Sequence, residues 1–512
     1  MRKLLLALAV LSVIAVPVAG CGGDDEAASS ALELVPAGAS VYGEATISPE
    51  GDQKQAVDTL LSKFPGGGEA GEKLKGLLEK AFMESDAPIS FKEDIEPWLG
   101  DDVAFFVGDI DPQGGKATAA ALVATDDEDQ AQSALEKSAE GKVDKKTYKD
   151  VEYITSQTET EGSGASGAVF EGFVVIGTEL GVKAAIDASK GGEKLSDDEA
   201  YDNAIDGATD DRLGLVYVDA RQLFRSLPAA SIAGFEALKD AEPFVATFDA
   251  DDDGVLVEAE VSGEIAKSFG TVGEGTELLN GLPAGSWLAT AQGNFGETLD
   301  GIVDSLAPSL GGRDAIEQQF RAATGLDLQK DVTAWMDGVA IFARGTTLDE
   351  LDGALIVETS DEAASGRLIA AVERLAREQG GGSVEIGRLS VPGGGDGFSA
   401  QVAGVPKPLH LFQRDGRVVL AYGDAGKDAV DPSETLGDSA DFAEARDSLG
   451  SDYEVSFLLQ VAPILAIVDS TEVASNADWQ EAKPYLEPLS ALVAGSADEG
   501  DNVRSAFKLI VK

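Results

Sequence analysis

Apolar residues fall along this chain either in short runs or at helical spacing, and the switches between the two mark out its elements. Short apolar runs that read as strands occur at Val103 to Val107, Ala121 to Ala124, Val174 to Ile176, Leu215 to Val218 and Val255 to Val261. A second set follows at Val339 to Ala343, Ala354 to Val357, Val418 to Ala421, Val455 to Leu458 and Val503 to Leu509. Helical spacing marks Asp52 to Phe64, Glu69 to Glu84, Phe295 to Leu306 and Arg313 to Thr324. Polar or Gly-rich stretches, notably Gln157 to Gly167 and Glu378 to Gly397, read as loops. The most apolar stretch after the amino-terminal leader, Leu458 to Val468, is broken by Gln460 and Pro463 and reads as a buried strand or short helix.

The two sets align with each other. The turn Pro36-Ala37-Gly38 returns as Pro283-Ala284-Gly285, and Asp94-Ile95-Glu96-Pro97-Trp98-Leu99 returns as Asp331-Val332-Thr333-Ala334-Trp335-Met336. Thr125 with Glu128, and Thr359 with Glu362, read as capping boxes that open helices. Landmarks repeated in one order are the mark of a duplication. The expected fold is therefore α+β, with two tandem similar domains over 34–270 and 271–512, each a mainly antiparallel sheet packed with helices. Copies of this size bury enough surface to need no disulfide or metal.

Charge narrows the partners. The 512 residues hold 39 Lys and Arg against 92 Asp and Glu, a formal charge of -53. Such a surface repels phosphate, so nucleic acid is not an expected partner. One His and one Cys leave little for metal or triad chemistry.

The lone cysteine has another use. Arg2 and Lys3, a thirteen-residue apolar run from Leu4 to Val16, and Val18-Ala19-Gly20 before Cys21 form a secretory signal ending in a lipobox. The run falls short of the ~20 residues a spanning helix needs. Cleavage before Cys21 and lipidation of its thiol are expected, leaving 37 basic and 92 acidic residues and a charge of -55. Residues 21–33 then read as a flexible tether, and the protein is placed on the extracytoplasmic side of the cell membrane.

Candidate chemistry is sparse. Asp249, Asp251 and Asp253, with Gly254 and Glu260, have the spacing of an EF-hand calcium loop. Both flanks have strand character, which favours a solvated acidic hairpin turn over a weak surface calcium site. The strings Gly66 to Gly71 and Gly162 to Gly167 match a dinucleotide fingerprint without its strand-to-helix context and read as loops. Ser505 and Lys508 form an S-x-x-K string on a strand, where the spacing puts them on opposite faces. His410 reads as a partly exposed strand residue, and Trp98 and Trp335 as turn anchors. Asp126 to Asp129 and Asp197 to Glu199 read as solvated helix starts.

The opening Leu34-Val35-Pro36-Ala37-Gly38-Ala39-Ser40-Val41-Tyr42, the Lys63-Phe64-Pro65 helix end and Ile95-Glu96-Pro97-Trp98-Leu99-Gly100-Asp101 resemble the bacterial domain of unknown function 3352 family. The second copy departs from the pattern, with Ala334-Trp335-Met336-Asp337. The resemblance implies a secreted or membrane-tethered envelope protein and assigns no catalytic residue. The expected role is binding or scaffolding, with an envelope protein or a small ligand in a cleft between the copies as partner. The alternative is an envelope hydrolase using an Asp/Glu acid/base pair. A third reading makes the acidity an adaptation to a salty or high-calcium exterior, with no functional content.

Overall fold

The computed structural model describes residues 31–67, 89–111, 116–139, 143–156, 164–206, 208, 212–225, 241–262, 273, 275–391, 395–500 and 502–512. Cys21, the expected leader, most of the expected tether and the stretch Glu69 to Glu84 lie outside these residues, as do parts of the two glycine strings. The chain divides into two compact units, the first extending to Ser262 and the second beginning at Gly263.

The first unit contains β1 (Val41–Thr46), β2 (Leu99–Asp111), β3 (Lys116–Thr125), β4 (Val143–Tyr148), β5 (Val151–Ser156), β6 (Ala165–Phe170), β7 (Phe173–Thr178), β8 (Gly214–Val218), β9 (Phe244–Asp251) and β10 (Gly254–Ser262). They pair antiparallel throughout, in the order β10-β9-β8-β1-β2-β3-β7-β6-β5-β4. The second contains β11 (Leu288–Gly293), β12 (Met336–Arg344), β13 (Asp352–Thr359), β14 (Val384–Arg388), β15 (Asp396–Val402), β16 (Leu409–Arg414), β17 (Arg417–Tyr422), β18 (Glu454–Gln460), β19 (Leu489–Glu499) and β20 (Asn502–Val511). Their order is β20-β19-β18-β11-β12-β13-β17-β16-β15-β14, again antiparallel. Strand for strand, the two orders are the same. The fold is mixed α+β.

Helices around these strands include α1 (Gly51–Ser62), α2 (Glu128–Ser138), α3 (Glu179–Ser189), α4 (Thr276–Asn280), α5 (Phe295–Leu306), α6 (Arg313–Thr324), α7 (Glu362–Gln379) and α8 (Val461–Asp469). Alternate residues of the central strands face opposite sides, and in the first unit both sides are covered. Ala104, Phe106, Leu122 and Val175 pack with Val182, Ala185 and Ile186 of α3. Val103, Val123, Val174 and Ile176 pack with Ala131, Ala134 and Leu135 of α2 and with Trp98. In the second unit Trp335, Val339, Val357 and Val418 pack with Ala364 and Ile369 of α7.

Several boundaries move. The supposed capping boxes cap differently: the N-caps are Asp127 and Asp361, whose carboxylates accept from Gln130 N and from Ala363 and Ala364 N. Thr125 and Thr359 lie two residues earlier and accept from those aspartates' own N–H groups. Glu128 and Glu362 turn instead to the hairpin turns, accepting from Gly172 N at 2.8 Å and Gly416 N at 3.2 Å. Those glycines have φ of +74° and +73°, which favours Gly over any residue with a side chain. The Glu378 to Gly397 loop is interrupted by β14, because Val384 and Ile386 alternate and pair with β15. Leu458 to Val468 is both alternatives in series, the end of β18 and then α8, with Pro463 tolerated in the first helical turn.

Candidate functional site

The clearest repeated device is structural. Trp98 and Trp335, 3% and 2% exposed, each donate Nε1–H to the carbonyl four residues back, on Asp94 and Asp331. Those aspartates accept the backbone N–H of Ser90 and Asp327 and are ion-paired to Lys137 on α2 and Arg367 on α7. Every polar atom of the buried indole is satisfied, so the tryptophans hold the turn to the core.

A pocket occurs in the first unit where its core turns polar. On β1, Tyr42, Glu44 and Thr46 point to one face, and β2 sets Phe106, Ala104 and Asp102 opposite them. On the other flank β8 sets Tyr217 and Leu215 opposite Tyr42 and Glu44. Arg212, just before β8, closes the polar end and pairs with Glu44 at 3.1 Å. The Tyr42 hydroxyl donates to the other Glu44 oxygen. Burial, and then the Glu44 charge, raise the Tyr42 pKa, so it stays a neutral donor. Glu44 and Arg212, with Ala31, Thr46, Asp102 and Gly214 among others, line a cavity of about 60 Å³. A Cβ on Gly214 would meet the Glu44 carbonyl oxygen at 2.5 Å, so only glycine lets the backbones approach so closely.

Asp102 is the reactive-looking group. It is 8% exposed. Burial raises its pKa to about 6, the charges of Asp101 and Glu44 act in the same direction, and a hydrogen bond from Thr46 opposes them. Near neutral pH it can lose, hold or share a proton.

The second unit fills the same place. Leu195 N donates to Val35 O as Leu436 N does to Leu282 O, and Ser40 N donates to Val107 O as Trp287 N does to Ala343 O. These pairs set Ala31 against Leu278, Glu44 against Ala291, Thr46 against Gly293 and Asp102 against Gly338. Leu278, on α4, is 5% exposed. A Cβ on Gly338 would sit 3.4 Å from Leu278 Cδ2 and 3.2 Å from Glu358 Oε2. Where the first unit has room and carboxylates, the second has a leucine over a glycine.

The residues singled out from the sequence go elsewhere. Asp249 and Asp251 lie on β9 and Asp253 in the turn, where its N–H donates to Asp251 Oδ1. Lys63 Nζ reaches the Asp252 carbonyl at 2.6 Å, and Gln53 Oε1 accepts from Ala250 N. Asp249 stands opposite Leu256, so Glu260 is four residues further along β10, about 13 Å away at strand rise. Among the described residues no three His, Cys, Asp or Glu converge as a metal ion requires. His410 is buried, 4% exposed, rather than partly exposed, because the turn at Gly423 and Asp424 packs against it. Its Nδ1 lies 2.8 Å from Ser399 Oγ, and burial lowers its pKa against the opposing charge of Asp424. Lys508 is buried and donates to Ser448 O, away from Ser505. Asp127 and Asp198 are N-caps, as helix starts should be.

A second electrostatic cluster surrounds Glu179 at the start of α3. Its Oε1 accepts from Tyr153 at 2.8 Å, Lys183 at 2.9 Å and Lys146 at 3.1 Å. Burial works to raise its pKa, but these hydrogen bonds outweigh it and hold the carboxyl at about 2. Anionic at neutral pH, it fastens β4, β5 and α3 together.

No local motif in the sequence marks the pocket: Glu44, Asp102 and Arg212 are far apart in the chain. The available signal lies in the self-alignment, at core positions where one copy is small and the other large. A family model described as "Protein of unknown function (DUF3352)" matches residues 4–506. No curated protein matches the chain. Among solved structures it is similar to one titled "Structure of crystal form I of TP0453", at 8% identity and TM-score 0.24, over 45% of this chain and 77% of that one.

Proposed function

The chain belongs to the DUF3352 family, and from that premise we propose that it is a lipid-tethered binding protein of the cell envelope whose first unit carries the ligand pocket. One observation carries the binding role: the place opened by Ala31 and lined by Asp102 in the first unit is closed by Leu278 over Gly338 in the second. On this reading the units descend from one duplicated ancestor, supported by their common strand order, and only the first kept or gained a site.

The tether rests on the run Leu4 to Val16 and on Cys21, the sole cysteine. Metabolic labelling with an alkynyl fatty acid tests it: label on the wild type and none on Cys21→Ser is expected, with the variant released from the membrane fraction. Equal membrane partitioning of both would end the lipoprotein reading.

Acid/base hydrolysis is the second reading, favoured by the Asp102 carboxyl at about 6. It predicts turnover of some envelope ester or glycoside that Asp102→Asn abolishes; binding without turnover in the wild type decides against it.

A further inference from the structure

Resting on the reading of the first unit's pocket as a binding site, we infer that it takes a small primary alkylammonium of about four non-hydrogen atoms. A cavity of about 60 Å³ holds about four water-sized groups at ~15 Å³ each. Its wall is amphipathic. Asp102, Glu44 and Thr46 supply oxygens, while Ala31 and Leu213 supply apolar surface for a short alkyl chain.

Charge selects the cation. Arg212 cancels Glu44 at 3.1 Å, leaving the Asp102 carboxylate as the net charge of the pocket. Asp101, with Asp126 and Glu50 close enough to act on its charge, adds further negative potential beside Asp102. An ammonium has three donors to satisfy, and the Asp102 carboxylate, Glu44 and the Thr46 hydroxyl offer oxygens on one wall. A divalent metal is a poorer match, since calcium takes 6–8 oxygen ligands and three side chains, Asp102, Glu44 and Thr46, supply the lining oxygens. An anion would meet Asp102 directly.

The test uses the full mature chain at pH 7.5 and constant ionic strength, titrated with n-propylammonium, n-propanol and propionate. The reporter is the carboxyl carbon resonance of Asp102, assigned by its loss in Asp102→Asn. The expected result is a saturable shift with propylammonium alone, absent in Ala31→Leu. Calorimetry should show binding at least tenfold weaker in Asp102→Asn, which does not depend on how Ala31→Leu folds. Saturation by propanol or propionate instead, lost in Ala31→Leu, overturns the ammonium assignment and leaves the pocket reading standing. No response to any of the three overturns both. Propylammonium binding unchanged in Ala31→Leu and Asp102→Asn places it elsewhere and overturns the inference.

Discussion

The wall beside β1 and the wall beside β11 are built on the same strand order and the same backbone hydrogen bonds, and they differ in what fills them. Ala31, Glu44, Asp102 and Arg212 leave a polar hollow in the first unit, whereas Leu278 fits against Gly338 and Glu358 in the second. The exchange is reciprocal: Ala31 stands where the second unit has Leu278, and Asp102 where it has Gly338. The backbone pairing is kept while the side chains that fill it change. One strand order can therefore carry different side chains at matching backbone positions.

The largest test of that equivalence is on what the two units share. Trp98→Ala and Trp335→Ala should each destabilise their own unit by about 4 kcal/mol, read by hydrogen exchange in the affected unit. Costs that differ by more than about half would break the parallel. Next, Gly338→Asp should cost about 3 kcal/mol, because its Cβ would already lie 3.2 Å from Glu358 Oε2 and 3.4 Å from Leu278 Cδ2, and its carboxylate would be buried beside Glu358. Adding Leu278→Ala should recover part of that loss; no recovery would show that room is not the difference between the walls.

A third test sharpens the comparison through pH. Asp102 is protonated more readily in the folded chain, with its pKa up from 3.8 to about 6. Its stabilisation is full below pH 3.8, falls as pH rises, and is gone above about 6. Solvent access at the pocket reduces the effect to about 2 kcal/mol. Asp102→Asn should flatten the pH dependence of first-unit stability between about pH 4 and 6; an unchanged slope would mean the carboxyl is not held in a desolvated site. Glu179 runs oppositely, since a carboxyl held at about 2 stabilises above 4.5 and that contribution is lost as pH falls toward 2. Smallest, Glu128→Gln and Glu362→Gln should each cost about 1 kcal/mol. Urea midpoints that move by matching amounts would bear out the shared clamp on Gly172 and Gly416.

Much of the scaffold is legible in the sequence. Phe295 to Leu306 and Arg313 to Thr324 keep their apolar spacing over the whole of α5 and α6, because helical periodicity survives partial burial. The caps slip by two residues because Thr-Asp-Asp in the first unit and Thr-Ser-Asp in the second each offer several cap geometries and spacing does not choose among them. His410 reads as more exposed than it is because alternation tells which way a side chain points but not whether another layer lies over it. The pocket is not legible as a motif, since its oxygens come from β1 and β2, and its guanidinium from just before β8.

The bond from the first residue of α2 or α7 to a glycine in a distant hairpin has a practical consequence. Surface reverse turns are the usual places to insert an epitope or reporter peptide. Here a peptide spliced in beside Gly172 or Gly416 would pull away a carboxylate anchored 44 or 54 residues distant. The bend near Gly500, whose N–H is held locally by Asp498 at 2.8 Å, is the safer splice point.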